Sequence, residues 1–264
     1  MPLSNRRIVL TGGSGGIGQR VAALLLARGA SLATISRFGD GPAAAVHVVA
    51  DLSSREGVAT AVNFVEAEQP DLLVNLAGVQ HFGPVEQQAF DAVQANYTVN
   101  LIAPVLLARA ALPAMKRRGA GQIVNIGSIL GSIGLAYFAT YSSSKAGLRV
   151  FSEALRRELA GTGVAVTYIA PRAVRTGLIT RKLRKYANLT GMAIDEPDGV
   201  ASRIVDAITR RKRDVYFGGT ERAFIKLNGA LPRLVDFFQA GSDRKASQLF
   251  LQQHLQAKEP HRER

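Results

Sequence analysis

Tyr141 and Lys145 stand four residues apart in a stretch, Tyr141 to Ala160, whose apolar residues recur with helical period. A helix there puts phenol and ammonium on one face. A phenol with an ordinary pKa of about 10 is a poor base at neutral pH, and a nearby ammonium favours its phenolate. Such a pair can give a proton to an alkoxide or take one from an alcohol. Ser128 follows the apolar run Ile123 to Ile126 and precedes Tyr141 by thirteen residues. At a strand end its hydroxyl can hold the same oxygen in place for attack. These are tools for interconverting a carbonyl and an alcohol, a reaction that also needs a hydride carrier.

A site for such a carrier is legible near the N-terminus. Thr11-Gly12-Gly13-Ser14-Gly15-Gly16-Ile17-Gly18 follows the strand-like run Arg7 to Thr11 and opens a helical pattern, Gly16 to Ala27. The glycines read as G-x-G-x-x-G on Gly13, Gly15 and Gly18, or as T-G-x-x-x-G-x-G on Thr11, Gly12, Gly16 and Gly18. A backbone that turns sharply and approaches a pyrophosphate needs such residues, and the helix N-terminus offers it free N–H groups. Gly12, Ser14, Gly16, Ile17 and Gly18 are the expected contacts. The second strand, Ser31 to Ser36, leads into Arg37, with no carboxylate before Asp40. An acidic residue at that strand end reads the ribose hydroxyl of NAD, whereas a guanidinium accommodates the extra phosphate of NADP. Ser36 and Arg37 therefore point to NADP(H).

The elements that must position these groups alternate along the chain. Further strands are read at His47 to Ala50, Leu72 to Asn75, Gln122 to Ile126 and Val164 to Ile169, with helices at Arg55 to Glu68 and Phe90 to Lys116. Runs apolar on both sides, such as Ile8-Val9-Leu10, suit a parallel sheet covered on both faces. The expected fold is α/β, a doubly wound Rossmann-type parallel sheet with helices on both faces, forming a single domain over residues 1–264. Beyond residue 176 the rhythm loosens, with a helix near Pro197 to Lys212 and a strand near Asp214 to Phe217.

With these motifs in this order, the chain resembles the short-chain dehydrogenase/reductase family from about residue 5 to 176. The resemblance makes Asn100, Ser128, Tyr141 and Lys145 catalytic, with Asn100 supporting a water and Lys145 in a proton relay and Lys145 also gripping the nicotinamide ribose. Asn96 is the nearest competitor to Asn100, and Val99-Asn100-Leu101 decides between them. Asp51 and Leu52 look like the family's adenine contact, and Asn75, Ala77 and Gly78 like its N-A-G element. Pro171, Val174 and Thr176 resemble its P-G-x-V-x-T element at the nicotinamide carboxamide. Arg172 stands where that element has glycine; this departure bears on the backbone path and sets a cation near the substrate entrance.

The 264 residues are 47% apolar and contain no cysteine, which excludes a disulfide framework, thiolate metal sites and a cysteine nucleophile; no metal site is expected. No export signal is visible at the N-terminus, and Val99 to Met115 is interrupted by Asn100, Pro104, Arg109 and Pro113, so a soluble cytoplasmic protein is expected. The formal charge is +13. Residues 1–170 hold 14 basic and 10 acidic side chains and residues 171–264 hold 19 and 10, so the excess is mainly C-terminal. No helix-turn-helix pairing, finger spacing or aromatic-interleaved basic strand points to specific nucleic-acid binding.

Residues 177–213 are expected to cover the substrate. Arg181, Lys182, Arg184 and Lys185 there suit an anionic handle such as a carrier protein's phosphopantetheine or coenzyme A, or a membrane surface, or belong to a solvated lid helix. Residues 218–264 read as a basic amphipathic extension, fit for a subunit interface, a wall for a long acyl chain or peripheral membrane contact. The expectation is an NADP(H)-dependent oxidoreductase acting on a small carbonyl substrate, a 3-oxoacyl thioester or lipid-like ketone. A non-catalytic NADP-binding sensor is the alternative. The resemblance also implies a homodimer or homotetramer packed through the helices around 90–116 and 141–160.

Overall fold

Alternate residues of each strand enter different cores. In β1 (Arg7–Thr11), Ile8 and Leu10 pack on one side of the sheet and Val9 on the other, and all three are buried. The computed structural model describes residues 2–39, 41 and 45–258, so Asp40 lies outside the described residues. After β1 come α1 (Gly18–Leu26), β2 (Ser31–Ser36), β3 (Val46–Val49), α2 (Arg55–Glu68) and β4 (Leu72–Asn75). A rod follows, built of α3 (Phe90–Tyr97), a π turn (Thr98–Ile102) and α4 (Ala103–Arg118); then β5 (Gly121–Ile126), α5 (Ala139–Glu158) and β6 (Val164–Ala170). The C-terminal part adds β7 (Ala173–Val174), α6 (Arg181–Thr190), β8 (Ile194–Asp195), α7 (Pro197–Thr209), β9 (Asp214–Tyr216), α8 (Gly219–Ala230) and α9 (Pro232–Lys258).

Seven strands form one parallel sheet in the order β3-β2-β1-β4-β5-β6-β9. The chain starts in the middle, winds outward through β2 and β3, then crosses to β4 and winds the other way. The order reverses beside β1 and β4, where an open α/β sheet leaves a crevice beyond its strand ends. On one face α1 and α7 supply Val21, Leu25, Ile204 and Ile208. On the other, α2, α4 and α5 supply Val65, Leu107, Met115 and Leu155. The expected doubly wound single domain is what the chain forms.

Two expectations change. The rod Phe90–Arg118 is long and apolar enough to cross a membrane by length and composition, with an 18-residue stretch of mean hydropathy 1.5, yet more than half of that stretch is buried inside this fold. The loosening of rhythm after residue 176 resolves into a helix, α6, and a two-stranded parallel sheet, β7 with β8. The side chain of Thr180 caps α6 by accepting a hydrogen bond from the Leu183 N–H at 3.2 Å. Leu183 and Tyr186, at helical spacing, join Phe138, Ile179, Leu249 and Phe250 in a third core that ties α6 and α9 to the ends of the main sheet's strands.

Candidate active site

At the first turn, Gly12 adopts φ +75°, and a Cβ there would lie 2.9 Å from the backbone of Ala77. A Cβ on Gly18 would overlap the Gly12 carbonyl oxygen. These two positions need glycine because the turn is pressed against itself and against the end of β4. The Thr11 hydroxyl oxygen accepts from the N–H groups of Leu76 and Ala77, each at 3.1 Å, and fastens that junction. Ser14 donates its N–H to Ser36 Oγ at 3.1 Å. α1 begins without a side-chain cap and without an acidic residue in its first turn, so its N–H groups and positive dipole end are left for an anion.

Gly12, Ser14, Gly16 and Ile17 line one cavity of about 1010 Å³, together with Ser36, Arg37, Asp51, Leu52, Ala77, Gly78, Ser128, Tyr141, Lys145, Pro171, Val174 and Thr176. This cradle fits a dinucleotide, with an uncapped helix start for the pyrophosphate and an exposed guanidinium at the strand end. Arg37 lies over the Phe38 ring at 4.7 Å. The Ser53 N–H holds the Asp51 carboxyl below its ordinary pKa; burial opposes this, and the Ser53 hydroxyl and the Arg37 charge add to it.

Asn100 sits in the π turn, a distortion of a long helix that is common at functional sites. Its Nδ2 donates to the Val79 carbonyl at 2.9 Å and to Ser144 Oγ at 3.0 Å, while its Oδ1 accepts from the Val79 N–H at 3.1 Å. Ser144 in turn donates to the Tyr141 carbonyl at 2.8 Å. One buried amide therefore joins the loop after β4, the π turn and the N-terminal part of α5. Asn96 is buried too, but its Nδ2 donates to Ala92 within its own helix, at 2.9 Å. The two asparagines thus differ in reach: Asn100 bonds across elements and Asn96 within its own helix.

Lys145 is buried, and its Nζ donates to the Ile126 carbonyl at the end of β5, at 3.0 Å. A Cβ on Gly78 would lie 3.3 Å from Asn100 Oδ1 and 3.5 Å from Lys145 Nζ, so the glycine keeps that space open. Tyr141 is hydrogen-bonded to the Ser128 side chain, and Ser128 Oγ accepts from the Leu130 N–H at 3.1 Å. Burial lowers the Lys145 amine to about 8. Burial also pushes the Tyr141 phenol up, and the Ser128 hydroxyl offsets part of that. Desolvation thus outweighs the expected pull of the ammonium, and the phenol holds its proton at neutral pH.

Beneath these groups lies a network that the sequence did not signal. Asn75 Nδ2 donates to Asn125 Oδ1 at 2.8 Å, Asn125 Nδ2 to Ser152 Oγ at 2.8 Å, and Ser152 Oγ to the Leu148 carbonyl at 2.7 Å. It locks β4, β5 and α5 in register. Tyr168 adds a hydrogen bond from its hydroxyl to the Ser128 carbonyl at 3.3 Å. Only hydrophilic residues interrupting apolar strands hinted at such a network, and a single sequence does not pair them.

Arg172 has no positive φ, so the replacement of glycine leaves the loop unstrained. Nor is it a free cation at the entrance. Its Nε donates to Asp195 at 3.1 Å, its Nη2 bonds the same carboxylate, and its Nη1 donates to Glu221 at 3.0 Å. The loop leading to β7, the strand β8 and α8 are thereby pinned together. Thr176 reaches back to the first turn, where a Cβ on Gly16 would meet its methyl group at 3.0 Å.

Most of the remaining wall is apolar, with Leu135, Phe138, Ile179, Leu183, Met192 and Phe224 lining it beside Thr190, Thr220, Gln239 and Ser242. Phe82 packs 4.7 Å from Phe138, and Tyr137 stacks on Phe250 at 4.5 Å. The basic residues of α6 do not line the cavity. Arg181, Arg184 and Lys185 are exposed, and Lys182 Nζ lies over the Phe250 ring at 3.6 Å. Periodicity alone, Leu183 against Tyr186 and Ala187, would have revealed this helix's inward face.

A phosphate cradle, a proton-bearing phenol and a buried amine facing one cavity can support hydride exchange at a carbonyl. The short chain dehydrogenase family model matches residues 6–187. A ketoacyl reductase, HetN, of Nostoc sp. is 33% identical over 230 residues, 81% of this chain and 78% of that protein. The 3-oxoacyl-(acyl-carrier-protein) reductase FabG of Vibrio harveyi is 29% identical over 221 residues, covering 78% and 90%. Among solved structures, a short chain dehydrogenase of Burkholderia cenocepacia in complex with NADP superposes with a TM-score of 0.75 at 26% identity, over 89% of this chain and 97% of the other. The chain belongs to the short-chain dehydrogenase family, as a Rossmann-fold oxidoreductase that uses a pyridine nucleotide at a CH–OH/C=O centre.

Proposed function

We propose that this protein is an NADPH-dependent reductase of a 3-oxoacyl thioester or a similar lipid-like ketone. The observation that carries the reading is the Tyr141 phenol, kept protonated by burial and bonded to Ser128, in a cavity whose far wall is mostly apolar. Gly12, Ser14, Gly16 and Ile17 would hold the pyrophosphate, with Gly18 packed behind them to close the turn, Ser36 and Arg37 the 2′-phosphate, and Asp51 and Leu52 the adenine. Ala77 and Gly78 would border the nicotinamide ribose with Tyr141 and Lys145, and Pro171, Val174 and Thr176 the carboxamide, while Asn75, buried against Asn125, supports the end of β4 from beneath. The bound nucleotide supplies a hydride.

Ser128 and Tyr141 hydrogen-bond the substrate oxygen and orient its carbonyl. As negative charge grows on that oxygen, Tyr141 gives up its proton, and the Lys145 amine, poised near 8, stands close enough in pKa to restore it. Asn100 holds the loop and helix turn that frame both groups. The relatives named as ketoacyl and 3-oxoacyl reductases support this direction and substrate class. An idle nucleotide-binding module finds no such support. The same reading carries a cytoplasmic location and a homodimer or homotetramer packed through the helices around 90–116 and 141–160, where Phe90, Ile102 and Val150 are exposed.

The test is NADPH absorbance with a panel of ketones, 3-oxoacyl thioesters among them. Thioesters should turn over fastest; a chain that binds NADPH but favours small polar ketones would remove the substrate assignment. Arg37→Ala should weaken NADPH about tenfold to a hundredfold and leave NADH nearly unchanged, because only NADP carries the phosphate. An unaltered affinity ratio in fluorescence titrations would move phosphate recognition to Ser14 and Ser36.

A further inference from the structure

The bend between α8 and α9 exposes Leu231 (54%), Leu234 (40%), Phe237 (76%) and Phe238 (57%) in eight consecutive residues. In this stretch only Val235 is buried. So many adjacent large apolar groups are costly to leave in water and mark a surface meant for a partner. The patch is continuous with the cavity wall. Phe238 packs against Phe224 with ring centroids 6.5 Å apart, and Phe224 lines the cavity together with Gln239 and Ser242 of α9.

The charges around it choose the partner. Arg222, Lys226 and Arg233 are exposed beside the patch, and none forms an ion pair among the described residues. The nearby carboxylates are Asp236, Asp243 beside it and Glu221, the last already paired with Arg172. A second copy of the chain seated on this face across a twofold axis would set these cations against themselves. An anionic bilayer accepts both components at once, with aromatic and aliphatic side chains entering the acyl boundary and the cations meeting headgroup phosphates.

We propose that the α8–α9 bend docks on an anionic lipid surface and sets the apolar side of the substrate cavity against the bilayer. Uptake of a lipid-like ketone from the membrane rests on the reductase reading, whereas the docking does not.

The full chain should sediment with vesicles of phosphatidylcholine containing phosphatidylglycerol, and less so as salt rises. Phosphatidylcholine alone should retain it poorly. Leu234→Ser with Phe237→Ser should weaken partitioning by about tenfold or more, and Lys226→Gln or Arg233→Gln by about fivefold each. NADPH titration should be the same for all variants, which shows that they are folded. No sedimentation with either vesicle, or equal sedimentation with both, would overturn the docking. So would a dimer that dissociates on Phe237→Ser, since the patch would then belong to a second copy. Vesicle binding by a chain that reduces no lipid ketone would leave the docking standing and overturn the substrate reading.

Discussion

The strand ends that carry Ser128 and the Asn75 network are held by buried polar bonds, whereas the segment after residue 176 is held by rings, aliphatic contacts and ion pairs nearer the surface, among them the joint of Arg172 with Asp195 and Glu221. In the first region Asn100 makes three hydrogen bonds and Asn125 two, each across separate elements. Such bonds are directional and expensive to leave half made, so they fix atoms to fractions of an ångström. In the second region α6 and α9 meet through Tyr186, Leu183, Leu249 and Phe250, contacts that tolerate changes of shape. The difference separates two tasks. Chemistry needs a fixed oxygen, phenol and amine; substrate choice needs a wall that can differ from one relative to the next.

Removing the transferable proton tests the first region most severely. Tyr141→Phe keeps the ring and the fold but leaves Ser128 alone on the substrate oxygen, and turnover should fall by about 10²–10⁴ with NADPH affinity retained. Stopped-flow or steady-state NADPH consumption measures it. A variant keeping more than about a hundredth of the parent rate would strip Tyr141 of the proton-donor role.

The two regions also differ in how far the sequence announces them. The glycine turn, Tyr141 with Lys145 and the strand runs are local patterns, set by backbone geometry over a few residues, and β2, β4 and α2 lie where periodicity puts them. The phenol's raised pKa was not legible, because burial depends on what the rest of the chain places over it. The inward face of α6 was overlooked because four cations in five residues mask an apolar spacing of three and four. Arg172 looked like a loose cation because its partners, Asp195 and Glu221, are 23 and 49 residues away, and no local rule pairs them.

That ionic joint is where the comparison can be sharpened. Arg172→Gly restores the residue of the family's loop, frees Glu221 and unpins α8 from the loop leading to β7. Glu221 Oε2 is already buried without a partner, and loss of the guanidinium leaves the whole carboxylate unpaired. The groups are about three-quarters buried, so the stability loss should be about 1–3 kcal/mol in denaturant unfolding, below that of a fully buried pair. KM for an acyl substrate should rise several-fold while kcat and NADPH affinity stay near the parent's. A fall in kcat with KM unchanged would place Arg172 among the groups that serve the reaction itself and blur the division between the regions.

Lys145 offers the smallest effect, and its sign is opposite to that of most core substitutions. Burial lowers its folded pKa from 10.5 to about 8, so between those values the unfolded chain binds the proton that the folded chain has lost. Unfolding free energy therefore rises with pH across that window, and the penalty for the buried ammonium is present in full below about pH 8. At about 1.36 kcal/mol per unit the penalty is roughly 3 kcal/mol. Lys145→Met removes it at neutral pH, loses the hydrogen bond to Ile126, and should leave the variant more stable by about 1–2 kcal/mol while turnover collapses. That advantage should shrink as pH climbs from 8 toward 10.5, because the parent sheds the costly proton and the methionine has none to shed. Denaturant unfolding of both proteins at several pH values tests this directly. A stability difference that stays flat with pH would mean that the amine is solvated in the folded chain, and that the first region holds its groups less tightly than its hydrogen bonds indicate.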